Sequence, residues 1–76
     1  MKLFDGKENI IYSVKLIKNI NLPANIIKRL EALGIVSGAE IIILNKRRTA
    51  LIIALKGARF AVGKSIADNI NITELY

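Results

Sequence analysis

The sequence predicts a mostly β domain, a small closed barrel of about five strands with one α-helix between the first and second strands. Three observations carry this. Short apolar runs recur along the chain, bounded by glycines and polar clusters. One stretch of about ten residues, ending at Gly34, instead carries helical spacing. The chain is 76 residues long and 53% hydrophobic, with no cysteine and no histidine to staple it. Strands so apolar need their edges hidden, and closure hides them. A ferredoxin-like sandwich would need a second full-length helix, for which Lys64–Asn69 is too short.

In chain order, Met1–Asn9 is polar and of mixed charge, and reads as a loose lead-in. Ile11–Ile17 alternates, with Tyr12, Val14 and Leu16 on one side and Ser13 and Lys15 on the other, which is a strand pattern. Asn19–Asn21 forms a loop into the helix. Pro23 suits the first helical position, where its missing N–H costs nothing. Ile26, Leu30 and Leu33 fall at i, i+4 and i+7 on one face, with Ile27 at its edge. Gly34 stands where a left-handed cap is needed, and Ile35 can pack back over the last turn. An isolated helix of this length is marginal in water, so it must dock on the strands. After a turn at Val36–Gly38, Glu40–Asn45 is a strand apolar on both faces. Lys46–Thr49 is a basic hairpin tip, and Ala50–Lys56 returns as the third strand. Gly57-Ala58 turns the chain into a fourth strand, Arg59–Val62, which Gly63 breaks. Lys64–Asn69 reads as one helical turn and Ile70–Thr73 as a closing strand. No linker or internal repeat interrupts residues 1–76, so they read as one domain.

Composition restricts function. The net charge is +6 and the pI about 10. Nucleic acid, an anionic membrane surface or an acidic protein face would each match it, as would a solubilising shell around an apolar core. So small a domain cannot bury all its apolar surface, which leaves some for a partner. The longest unbroken apolar run, Ala50–Leu55, is far shorter than the ~20 residues that cross a bilayer. The N-terminus has no apolar signal-type segment, and the lack of cysteine fits the cytosol.

Catalytic patterns fail on inspection. Gly63-Lys64-Ser65 resembles the end of a phosphate-binding loop, but Ala58 stands where its first glycine belongs. Without His or Cys, Ser13, Ser37 and Ser65 have no ordinary base. Asp5 and Glu8 on the lead-in would make at best a weak hard-metal site, and a thiolate or imidazole site has no ligands. The chain reads as a non-enzyme with no cofactor and no metal ligand set of its own. Lys46, Arg47 and Arg48, with Lys56 and Arg59 nearby, form the one local charge concentration. Such a tip either contacts an anionic partner or keeps the hairpin soluble. Nucleic-acid binding would call for exposed aromatics among the cations. Phe60, the one near enough, reads as core.

The run Lys28-Arg29-Leu30-Glu31-Ala32-Leu33-Gly34-Ile35-Val36-Ser37-Gly38-Ala39-Glu40 resembles the central signature of the FeoA family, R-L-x-x-L-G-hydrophobic, two residues, then G-x-x-hydrophobic. Leu55–Gly63 is similar to its G-x-R-hydrophobic-A-hydrophobic segment, and Ile66–Ile70 to its E-A-x-x-I ending, with Ile66 in place of the acid. The resemblance covers about Val14–Ile72. It implies an SH3-like barrel and a cytosolic role in bacterial ferrous-iron uptake beside FeoB, the membrane permease with a GTP-hydrolysing domain. Family domains also occur as C-terminal appendages of iron-dependent repressors. This chain carries no DNA-binding helices, so it resembles the free-standing form. Many members have a longer P-L-G-D-P-type tip where this chain has Lys46-Arg47-Arg48-Thr49. The resulting expectation is an accessory protein recruited to the inner membrane face through its partner, with Lys46, Arg47, Arg48 and Arg59 as charge donors. A small-barrel RNA- or DNA-binding module is the alternative, and a self-associating homo-oligomer the third reading.

Overall fold

The structure is a computed structural model and describes residues 1–75. Five strands, β1 (Ile11–Ile17), β2 (Glu40–Lys46), β3 (Ala50–Leu55), β4 (Ala58–Gly63) and β5 (Ile70–Glu74), form one antiparallel sheet in the order β4-β3-β2-β1-β5. Helix α1 (Ala24–Leu33) links β1 to β2, and the single turn α2 (Lys64–Ala67) links β4 to β5. The mostly β class with one short helix set between the first two strands is thus the observed one.

Strand alternation builds the core. Leu51, Ile53 and Leu55 of β3 face inward against Ile41 and Ile43 of β2, Val14 and Tyr12 of β1, and Ile70 and Ile72 of β5, all buried. Ile42 and Leu44 of β2 are half-buried on the outer face rather than enclosed on both sides. Leu16 departs from the expected pattern. A register shift in the β1–β5 ladder between Val14 and Leu16 inserts Lys15 as an extra residue, and Leu16 turns outward to 54% exposure.

Helix α1 stops as its sequence dictates. Gly34 adopts φ 86°, the Gly34 N–H donates to the Glu31 carbonyl (3.0 Å) and the Ile35 N–H to the Leu30 carbonyl (2.9 Å), a Schellman closure. Ile35 is then fully buried beside Leu30. Pro23 lies one place earlier than expected, at φ −61° and ψ 150°, as the residue that flanks the helix. The β3–β4 turn is likewise one residue earlier than expected. Lys56 (φ 50°) and Gly57 (φ 81°) are its central pair, the two positive φ values of a type I′ hairpin.

The expected loose lead-in is instead part of the barrel. A 3₁₀ turn at Leu3–Asp5 puts Leu3 in the core with no exposed surface. The Met1 amine donates to the Ile72 carbonyl, the Ile72 N–H to the Met1 carbonyl, and Lys2 bridges Asn71, so this segment covers the outer edge of β5. The Lys7 N–H donates to the buried Tyr12 hydroxyl at 2.8 Å and the Asn9 N–H to the Ile43 carbonyl at 2.7 Å. Polarity misleads here because two adjacent apolar side chains, buried Leu3 and half-buried Phe4, reach the core, and backbone groups do much of the rest. Gly6 is buried where a Cβ would lie 2.6 Å from Ile43 Cδ1 and 3.1 Å from Tyr12 Cε2. Gly6→Ala should therefore cost about 1–2 kcal/mol of stability, seen as a lower urea midpoint with unchanged slope.

Closure is partial. Among the described residues β4 and β5, the terminal strands, do not pair with each other. The Met1–Lys2 segment covers β5, whereas among the described residues no strand pairs with the outer edge of β4.

Candidate interaction surface

The hairpin tip is built on a fixed base. The Arg47 N–H donates to the Ala50 carbonyl and the Lys64 N–H to the Thr49 carbonyl, both at 2.8 Å, so the β2–β3 turn is tied to itself and to α2. The Lys46 N–H donates to Glu8 Oε2 at 2.8 Å. Arg47 and Arg48 project from this base, exposed. The Lys64–Asp68 pair (2.9 Å) is the one salt bridge among the described residues, so neither arginine is neutralised by a neighbouring acid.

Two residues join the tip that the sequence did not place there. Half-buried Phe4 lies beneath two ammonium groups, Lys46 Nζ at 5.5 Å and Lys64 Nζ at 5.2 Å from its ring centroid. These cation–π contacts attach the N-terminal turn to the basic end of the barrel. The signal available in the sequence was the apolar pair Leu3-Phe4 inside a polar segment.

Arg59 is not part of this cluster. It pairs with Ala54, whereas the tip enters β3 at Ala50. Four residues of strand separate them, roughly 13 Å. Arg59 and Lys56 belong instead to the opposite end of the β3–β4 hairpin. Phe60, one residue on, packs partly buried against the core.

Apolar surface remains exposed, as the composition required. Ile20 is 94% exposed, and Leu16 and Val36 line an open groove of about 260 Å³ beside α1. A smaller recess of about 70 Å³ lies between α1 and β4. Its lining includes Ile26, Leu30 and Leu33 on one side, Phe60 on the other, and Arg29 as the one charged residue. No three acidic, histidine or cysteine side chains converge as a metal site among the described residues. No helix among the described residues is long and apolar enough to cross a membrane.

Against known proteins, a sequence model of the FeoA domain matches residues 3–74. No curated protein matches the chain in sequence. Among solved structures, a crystal structure of an iron uptake regulatory protein (FeoA) is 26% identical with a TM-score of 0.84, over 99% of this chain and 97% of that one. A FeoA protein from Chlorobium tepidum, solved in solution, is 22% identical with a TM-score of 0.87, over 100% of this chain and 71% of that one. A manganese-dependent transcriptional repressor shares the fold at 17% identity and a TM-score of 0.87, with 41% of its length covered.

Proposed function

The chain belongs to the FeoA domain family, and on that premise we propose that it is a non-enzymatic accessory protein of ferrous-iron uptake that docks, in the cytosol, on the FeoB-type permease. The match over residues 3–74 carries this reading, since it spans the barrel rather than one motif. Surface chemistry supports docking as the mode of action. Arg47 and Arg48 form no salt bridge with any described acid and stand on a hairpin held by backbone hydrogen bonds, a geometry suited to steering an acidic face. Exposed Leu16, Ile20 and Val36 supply apolar contact area that a solubilising shell would not leave.

Nucleic-acid binding is less well supported. Phe4, the aromatic side chain at the basic end, already has its ring engaged by Lys46 and Lys64, and Phe60 packs on the core. A base-stacking platform needs free aromatic faces between its cations.

Affinity capture of the tagged chain from detergent-solubilised host membranes tests the proposal. Recovery of the FeoB-type permease, identified by mass spectrometry, is the expected outcome. Nucleic acid that washes away with salt, with no permease recovered, would replace the reading with the small-barrel nucleic-acid module.

A further inference from the structure

Hydrogen-bond alternation along β4 fixes which of its backbone groups are free. In an antiparallel ladder, bonded and non-bonded residue pairs alternate. The type I′ turn at Lys56-Gly57 makes Leu55–Ala58 a bonded pair, and the Lys64 N–H to Thr49 carbonyl bond makes the 49–64 pair bonded at the other end. The register agrees from both ends, with 53–60 and 51–62 bonded between them. Arg59, Ala61 and Gly63 therefore aim their N–H and C=O groups away from β3. No described residue receives those of Arg59 and Ala61 or the Gly63 N–H, whereas the Gly63 carbonyl opens α2 as its N-terminal cap.

This open edge borders the recess beneath α1. Phe60 and Val62 face the recess and the core, exposed Ala61 borders the recess, and Arg59 is exposed outside it. Apart from Arg29, the described residues of the recess lining are apolar, with no acid among them. Natural edge strands are blunted by inward charges, prolines, bulges or a covering segment. Met1–Lys2 does this for β5; β4 carries only Arg59.

We infer that the outer edge of β4 is a docking site for an extended segment of a protein partner, aliphatic at alternate positions and acidic between them. The segment adds as a sixth strand on the N–H and C=O groups of Arg59 and Ala61 and on the Gly63 N–H. Its aliphatic side chains enter the recess against Ile26, Leu33 and Phe60, and its acidic side chains lie on the opposite face beside Arg59. Strand addition of this kind draws affinity from the main chain and selectivity from alternate side chains. Charge selects this occupant over a second copy: two copies would bring net charges of +6 together, whereas an acidic segment meets Arg59 favourably. The inference rests on the reading that the domain docks on another protein, and it says where.

Amide hydrogen exchange on the full chain tests it, with two probes. One is a blocked six-residue peptide of alternating valine and glutamate, compared with its valine–lysine counterpart. The other is the soluble cytosolic portion of the FeoB-type permease. The valine–glutamate peptide should slow exchange at Arg59, Ala61 and Gly63, with the lysine peptide about tenfold weaker. Ala61→Pro should weaken the glutamate peptide and the permease portion by about tenfold or more while the fold persists, because the lost N–H belongs to the free edge rather than to the β3 ladder. Arg59→Glu should reverse the preference between the two peptides. Failure of both probes to slow exchange at those amides would overturn the inference. So would a concentration-dependent dimer that protects them without any probe. Binding of the permease portion that Ala61→Pro leaves unchanged would remove the edge as the site while docking stands. Protection by the peptide, with no binding of the permease portion, would keep the edge and remove the permease as its partner.

Discussion

Leu3→Ala is expected to lower the unfolding free energy by about 2–4 kcal/mol, the range for truncating a fully buried leucine in a core that can only partly collapse. The site has little freedom to close over the loss. Leu3 has no exposed surface, and its turn is held by the Gly6 N–H on the Leu3 carbonyl (3.1 Å) and the Asp5 N–H on the Lys2 carbonyl (3.0 Å). Beyond that turn, the segment is fastened to β5 through Met1 and Lys2 and to β2 through Asn9. Urea unfolding followed by circular dichroism measures the effect as a lower midpoint with the slope retained. A segment that merely precedes the barrel would give a change within about 0.5 kcal/mol, as surface substitutions do. In a domain of this size the larger loss is a substantial share of total stability.

The residues that were legible in the sequence are those whose conformation is decided locally. Gly34 was readable because a left-handed residue after Leu33 closes the helix by hydrogen bonds to Glu31 and Leu30, only a few positions away. The β3 strand was readable because its alternation of buried and half-buried residues is uninterrupted. Leu16 was not, since the bulge that turns it outward depends on how β1 registers with β5, more than fifty residues later. The lead-in failed for the same reason: its partners include Ile72, Asn71 and Ile43, all far from it in sequence. At the interaction surface, Arg47 and Arg48 followed from a turn between two apolar runs. The grouping of Arg59 with them did not survive, because proximity in sequence to the returning hairpin placed it at the wrong end of β3. Lys64 takes its place through the contact of α2 with the tip, which only the folded chain creates.

Separation of the tip from Arg59 divides the work of binding into two measurable parts. Arg47→Glu combined with Arg48→Glu changes the charge by four units on an exposed turn. It should slow association with the cytosolic portion of the permease about 10- to 100-fold at low ionic strength, with little change in dissociation, because exposed charges act on encounter. The difference should shrink toward nothing as salt shortens the Debye length to about 3 Å near 1 M. Folding should be almost unaffected, since both side chains are exposed and the turn is held by backbone groups of Arg47, Thr49, Ala50 and Lys64. Lys46 is the wrong residue for this purpose, as its ammonium lies over Phe4 and its loss would disturb packing as well as charge. Stopped-flow or surface-based kinetics across a salt series reads the result. Unchanged association at low salt would remove Arg47 and Arg48 from the steering surface. A slower dissociation-controlled effect confined to Arg59→Glu would then place the whole of the contact at the β4 end of the barrel.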